Sequence, residues 1–218
     1  MIKYLRNTGW VVTGIIICFG AWLMLRLTIP YAAFDRYTDF LNTKQRVYHL
    51  LHWRASFYVH IFVSIFVLLA GMLQFSRWLL KKHPQIHRAS GKLYAVIIIA
   101  FSGPSGLIMG IYANGGISGR ISFVLLSVLW LGFTIMGWIR ARQGKWKAHI
   151  IWMLRSYALT LSALTLRFFT FLIGIMHLHI PPFKAYVLVA WTSWTINLLI
   201  AEIVVKRLLL KRMKSFIG

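Results

Sequence analysis

This sequence has almost no acid. Its 218 residues include three carboxylate side chains, Asp35, Asp39 and Glu202, against 25 Lys plus Arg. That shortage all but excludes catalysis by paired carboxylates. Cysteine is just as scarce. Cys18 stands alone, so neither an internal disulfide nor a Cys-based metal centre can form. It lies in an apolar run, without the small residues that precede a lipoprotein anchor, and reads as a small buried hydrophobe. Charged residues make up 13% of the chain, about half of the ~25% usual in a soluble domain. The nucleophile elbow, phosphate loop, zinc-protease helix and dinucleotide fingerprint are all missing. So are low-complexity tracts and any strong internal repeat.

What is there is apolar. Hydrophobic residues make up 59% of the chain, and the mean hydropathy is +0.71. Six apolar runs are long enough to cross a bilayer, at roughly 10–27, 57–76, 93–113, 121–139, 149–175 and 185–205. The expected fold is therefore all-α: one integral membrane domain, a bundle of six transmembrane helices. On a soluble protein a net charge of +22 would point to nucleic acid. Here the cations sit in the connections, where they set topology and meet anionic lipid headgroups. The expected partner is the lipid bilayer and not nucleic acid.

The distribution of cations orients the chain. The N-terminus, the second and fourth connections and the tail carry two, five, four and five Lys plus Arg. These are Lys3 and Arg6; Arg77, Lys81, Lys82, Arg88 and Lys92; Arg140, Arg142, Lys145 and Lys147; and Lys206, Arg207, Lys211, Arg212 and Lys214. The third and fifth connections carry one each, Arg120 and Lys184. In the first, Asp35 and Asp39 partly offset Arg36, Lys44, Arg46 and Arg54. Both termini are thus expected in the cytoplasm of a multi-pass protein of the bacterial inner membrane. Lys3 and Arg6 before the first run resemble a signal peptide. The run is longer than a signal core and no small-x-small site follows it directly, so it reads as a retained span.

The first connection holds Tyr31, Phe34, Tyr37, Phe40, Tyr48 and Trp53 after Pro30. It reads as an amphipathic segment in the interface that runs on into the second span. A continuous helix there would place His49, His52, Ser56 and His60 on one stripe. In the third span, SGPSGLIMG puts Pro104 near mid-membrane. Its missing N–H frees the carbonyl of Ala100 and predicts a kink. Gly103, Gly106 and Gly110 would admit a close neighbour, and Asn114-Gly115-Gly116 reads as a tight turn.

The fifth apolar run carries the most chemistry: KAHIIWMLRSYALTLSALTLR, residues 147–167. A charge within a span costs at least ~2.5 kcal/mol on insertion scales, so such residues usually face a bundle interior. His149, Ser156, Thr160, Ala163 and Arg167 share one helical face over ~27 Å, nearly the whole hydrocarbon core. The expected topology gives two polar levels. The inner one holds His87, His149, Arg155 and Glu202. The outer one holds His60 and Arg167, with His49, His52, His177 and His179 nearby.

One reading of these levels is haem b. Paired imidazoles on facing helices can fill both axial positions, and Arg can pair with the propionates. His87 with His149 would hold an inner haem or another metal. His60 with a loop histidine would hold an outer haem, and Arg155 and Arg167 would complete the cofactor-binding set. Electron transfer across the membrane would follow. The plainer reading places these histidines at the headgroup level as helix caps and lipid contacts. A proton relay or a non-haem metal is a third. Arg155 with Glu202 reads as an ion pair stapling two helices, or alternatively as part of a proton or ligand path. Arg167 has no acid at its level, which leaves Asp35, Asp39, backbone carbonyls or an anionic ligand such as a phosphate headgroup. The class opposed to an electron carrier is a non-enzymatic membrane protein that binds or moves a small molecule or lipid.

Three stretches carry a resemblance: FYVHIFVSIFVLLAGMLQF, HRASGKLY and AHIIWMLRSYALTLSALTLR. Over residues 49–171 the chain resembles the bacterial predicted-membrane-protein family DUF2306. The resemblance implies an integral membrane protein whose motif positions are His60, His87, Arg88, Gly91, Tyr94, His149, Arg155, Ser156 and Arg167. It implies no particular activity. More distantly, the first two stretches look like pieces of the transmembrane cytochrome b family of ferric and ascorbate-dependent reductases. That family carries two pairs of histidines on four helices, whereas only His60, His87 and His149 lie in spans here.

Overall fold

The computed structural model describes the backbone of residues 2–217 and the side chains of 12–207 and 209, except that of Arg77. The side chains of Lys3, Arg6, Arg77, Lys211, Arg212 and Lys214, which enter the charge count above, lie outside the described residues. The described backbone is helical, without a strand. Nine α-helices follow in order: α1 (Ile2–Thr28), α2 (Leu51–Gln74), α3 (Arg77–Lys82), α4 (Pro84–Val96), α5 (Gly103–Ile111), α6 (Gly116–Arg142), α7 (Trp146–Thr160), α8 (Ser162–Ile175) and α9 (Pro182–Ile217). They supply six membrane-length apolar segments: Val12–Ala33, Leu51–Gln74, Pro84–Ile111, Gly116–Arg142, Trp146–Ile175 and Pro182–Arg207. The protein is all-α and polytopic, as its apolar runs predict.

The chain divides into two compact units, Met1–Ile108 and Met109–Gly218. In the first unit α2 is the central element, with α1, α4 and the turn that follows α4 all packed on it. Among the described residues α1 packs mainly on α2, and many of its side chains are exposed. Cys18 is accordingly exposed, with its Sγ 3.8 Å from Met72 Sδ. This corrects the expectation of a buried cysteine, because one packed neighbour shields only one side of a helix.

Helix boundaries move where polar side chains decide them. The third span starts at Pro84, nine residues before its apolar run. Proline suits the first turn of a helix because its φ is preset and its missing N–H has no intrahelical partner there. The first connection is not an interfacial helix. It folds as two 3₁₀ turns, Ile29–Ala33 and Asp39–Lys44. Side chains take the backbone groups that a helix would have used: Asn42 donates to the Tyr37 carbonyl (2.7 Å) and Gln45 to that of Arg36 (2.6 Å). α2 begins only at Leu51, so His49 is outside it and the proposed four-residue stripe is broken.

Pro104 is accommodated by a π-helical turn, Ile97–Ser102, directly ahead of α5. Gly103 N–H reaches back to the carbonyl of Ile98, one residue further than in an α-helix. The extra residue widens the turn, a feature that often marks functional sites.

In the second unit the packing is polar as well as apolar. α6 and α7 run antiparallel and are tied at three levels. His149 Nδ1 lies 2.9 Å from the Gly137 carbonyl, Thr134 Oγ1 lies 2.7 Å from Ser156 Oγ, and Trp130 Nε1 lies 3.0 Å from Thr160 Oγ1. α9 joins α6 through Trp194 Nε1 and Ser122 Oγ (2.9 Å), and α8 through Asn197 and Thr165 (2.9 Å). Lipid cannot replace such bonds, and each contributes on average about 0.6 kcal/mol. Gly137 makes the close approach possible, since a Cβ there would lie 2.5 Å from Met153 Sδ.

Gly137→Val should therefore lower stability in detergent by roughly 1–3 kcal/mol, the usual range for overpacking. Adding Met153→Ala should restore part of the loss. Tryptophan-monitored thermal unfolding of the single and double variants measures both, and equal melting of Gly137→Val and wild type would refute the packing account.

Candidate functional site

The polar residues within the spans fall into separate clusters. In the first unit, His60 on α2 faces the π-turn. Its Nδ1 lies 2.9 Å from the Ser102 carbonyl and 3.3 Å from Ser105 Oγ, and Ser64 Oγ donates to Ser102 Oγ at 2.9 Å. A carbonyl only accepts, so Nδ1 carries the hydrogen and Nε2 of the neutral ring keeps its lone pair. The π-turn brings the main-chain oxygen of Ser102 to His60. The sequence marks this place as SGPSG, but by spacing alone nothing links it to a histidine 42 residues earlier.

His87 lies on α4, about 22 Å along the helix from Ser102, counting 15 residues at ~1.5 Å each. His60, which meets Ser102, is thus well separated from His87 along the first unit's helices. Elsewhere in HRASGKLY, Ser90, Gly91 and Tyr94 serve packing. Gln74 Nε2 donates to Ser90 Oγ at 2.7 Å, a Cβ on Gly91 would lie 2.8 Å from Gln74 Oε1, and Tyr94 is buried. Arg88 is exposed.

In the second unit, His149 repeats the arrangement of His60, with Nδ1 on the Gly137 carbonyl and Nε2 left as the basic nitrogen. The predicted stripe is split. Ser156 and Thr160 are buried against α6, whereas Arg167 is exposed. α7 and α8 meet at Leu161, which is still helical in conformation, and the two run as one membrane-length segment. Arg155 grips Glu202 through two bonds, Nε–Oε1 at 2.5 Å and Nη2–Oε2 at 2.9 Å, and its guanidinium lies 4.8 Å from the Trp152 ring centroid. This bidentate pair joins α7 to α9 as the helix-staple reading requires. His177 and His179 are exposed beyond α8. His177 has a φ of 47°, and its N–H bonds to the Gly174 carbonyl, so it closes the helix end.

Among the described residues no group of three His, Cys, Asp or Glu side chains is placed to hold a metal. Arg167 makes no hydrogen bond or ion pair there either.

The structure also holds a cavity that sequence reasoning missed. About 390 Å³ in volume, it lies where the first connection meets α2 and is lined by Phe34, Tyr48, Leu51, Arg54, Ala55 and Tyr58. Tyr48 and Tyr58 hydroxyls are 3.3 Å apart, and Tyr48 also donates to the Phe34 carbonyl at 3.4 Å. Arg54 stacks over Tyr48 at 5.6 Å. The spacing of Leu51, Arg54, Ala55 and Tyr58 on one helical face was readable. Its partnership with Phe34 and Tyr48 depends on the loop.

These features define a polytopic membrane protein whose span polar groups are mostly tied to one another. The family model described as "Predicted membrane protein (DUF2306)" matches residues 57–205, well over half of the chain, and the protein belongs to that family. No curated protein and no solved structure matches it.

If Arg155–Glu202 is a staple, either single change, Arg155→Met or Glu202→Leu, leaves a lone charge in the span. Each should cost more stability than the double change, which removes both charges. A thermal-unfolding double-mutant cycle should give a coupling of about 1 kcal/mol or more. Additive losses would mean the pair is not holding α7 to α9.

Proposed function

We propose that this chain is a non-enzymatic protein of the bacterial inner membrane, with both termini cytoplasmic, that binds an anionic amphiphile. The observation that carries this reading is Arg167. Its guanidinium stands exposed on α8, eight residues before the helix ends at Ile175, with no acid paired to it among the described residues. Arg155, by contrast, has Glu202. An uncompensated cation in a span is costly and draws an anion. A side chain ~12 Å along the helix from its end can turn toward the interface, where lipid phosphates and other anionic headgroups lie. Many of the remaining span polar groups are tied within or between helices, as Thr195 is to Trp191 and Thr134 to Ser156, which leaves Arg167 to meet the ligand.

A second reading is favoured by the histidines. His60 and His149 each commit Nδ1–H to a backbone carbonyl and keep Nε2 as a base. That is the tautomer of an axial or metal ligand with its second nitrogen held by the protein. Under this reading His60, His87 and His149 are ligands of haem b or a metal, and Arg155 and Arg167 pair with propionates.

Native mass spectrometry of the detergent-purified protein with short-chain phosphatidylglycerol tests the first reading. Wild type should retain a lipid that Arg167→Gln loses, with unchanged melting, and equal retention by both proteins would reject it. The oxidised and dithionite-reduced visible spectra test the second. A Soret band and α-band lost in His149→Ala would establish a cytochrome. A colourless folded protein without stoichiometric metal would end the redox reading.

A further inference from the structure

We infer that the cavity between the first connection and α2 is a second binding site, built for the phosphodiester headgroup of an anionic membrane phospholipid. It lies wholly within the first unit and does not depend on Arg167.

Three observations carry the assignment. The first is an unused cation. Among the described residues the Arg54 guanidinium donates no hydrogen bond and meets only the ring of Tyr48, 5.6 Å from its centroid. Stacking leaves the planar fork of donors free at its edge, the geometry that suits a phosphate. The second is the pair of phenols. Their bonds, 3.3 and 3.4 Å, are long for O–H···O contacts, so a hydroxyl can turn to a stronger acceptor. The third is the wall. Phe34 is held at a φ of 54°, a left-handed conformation that is a genuine outlier for so bulky a residue. Its N–H bonds to the Tyr31 carbonyl at 3.1 Å and its own carbonyl accepts from Tyr48. The fold therefore holds its ring beside the phenols in a conformation that is disfavoured for its own sake, a pattern that recurs at ligand sites.

The surroundings select a lipid over a free anion. Phe34 is 63% exposed and Leu51 is 68% exposed, so the cavity opens beside bare apolar side chains. They flank it where α2 enters its membrane span, and an acyl chain would cover them while the phosphate reached Arg54. Local charge also favours an anion. The first connection and the start of α2 carry Arg36, Lys44, Arg46 and Arg54 against Asp35 and Asp39. Asp35, the acid whose charge reaches Tyr58 in the cavity wall, accepts from the Tyr37 N–H at 3.0 Å.

The test uses the full-length protein in detergent. Short-chain phosphatidylglycerol, the matching phosphatidylcholine, glycerol phosphate and inorganic phosphate are titrated separately, with bound molecules counted by native mass spectrometry. Arg54→Gln should weaken one class of phosphatidylglycerol site by about tenfold or more, as loss of a charge-assisted contact does. Tyr48→Phe with Tyr58→Phe should weaken it about threefold. Arg167→Gln should leave this class unchanged, so failure here and failure of the Arg167 reading can be told apart. Should Arg54→Gln fail to fold, Arg54→Lys and the double phenylalanine variant carry the test, each expected to weaken the same class. Undiminished binding in folded variants overturns the assignment. Equal binding of phosphatidylcholine removes the charge selectivity and overturns it as well. Inorganic phosphate or glycerol phosphate binding as tightly as the lipid would make the occupant a free anion, and the lipid assignment would fall.

Discussion

Carboxylates are the limiting resource of this molecule. A bilayer interior supplies no water to solvate a cation, and three acids cannot neutralise 25 basic side chains. Most cations therefore stand at helix ends or in connections. Glu202 on α9, the one carboxylate within a span, goes to Arg155 of the fifth span through a bidentate contact. Arg167 and Arg54 are left without an acid. Several neutral polar groups in the spans are satisfied by hydroxyls and backbone carbonyls. His60 uses Ser102, His149 uses Gly137, Ser156 uses Thr134 and Trp194 uses Ser122.

This pattern separates residues that hold the bundle from residues that can meet something else. Ser156 and Thr160 look chemically promising on a helical projection, but both are consumed by α6. Gly91 and Ser90 in the HRASGKLY stretch are spent on Gln74. Arg167 and Arg54 are of the other kind: each combines a full charge and no paired acid with exposure or with a cavity. The two imidazoles stand between, because the carbonyl bond that anchors each ring also leaves its other nitrogen basic.

Much of the architecture was legible, because crossing hydrocarbon requires an uninterrupted apolar helix and composition alone reveals one. The six spans, the tight turn at Asn114-Gly115-Gly116 and the Arg155–Glu202 pair all follow from that requirement. Side-chain burial was less so. Cys18 sits in an apolar run as a core residue would, yet it is exposed, since in a membrane the outside is as apolar as the inside. The helical stripe on the fifth span failed for a similar reason. Periodicity places residues on one helical face, but not which part of that face a neighbour covers: Ser156 is buried against α6 and Arg167 is exposed.

By itself, then, the sequence determined the membrane class, the six helices and the scarcity of acid that makes every buried cation costly, because these depend only on composition and local periodicity. The tertiary structure decided which polar groups are already occupied. It brought the Ser102 carbonyl to His60 through a π-turn 42 residues away. It also folded the first connection into 3₁₀ turns that carry Phe34 and Tyr48 to Arg54. Partners so far apart along the chain meet only when helices pack, and packing distance is not written in local pattern.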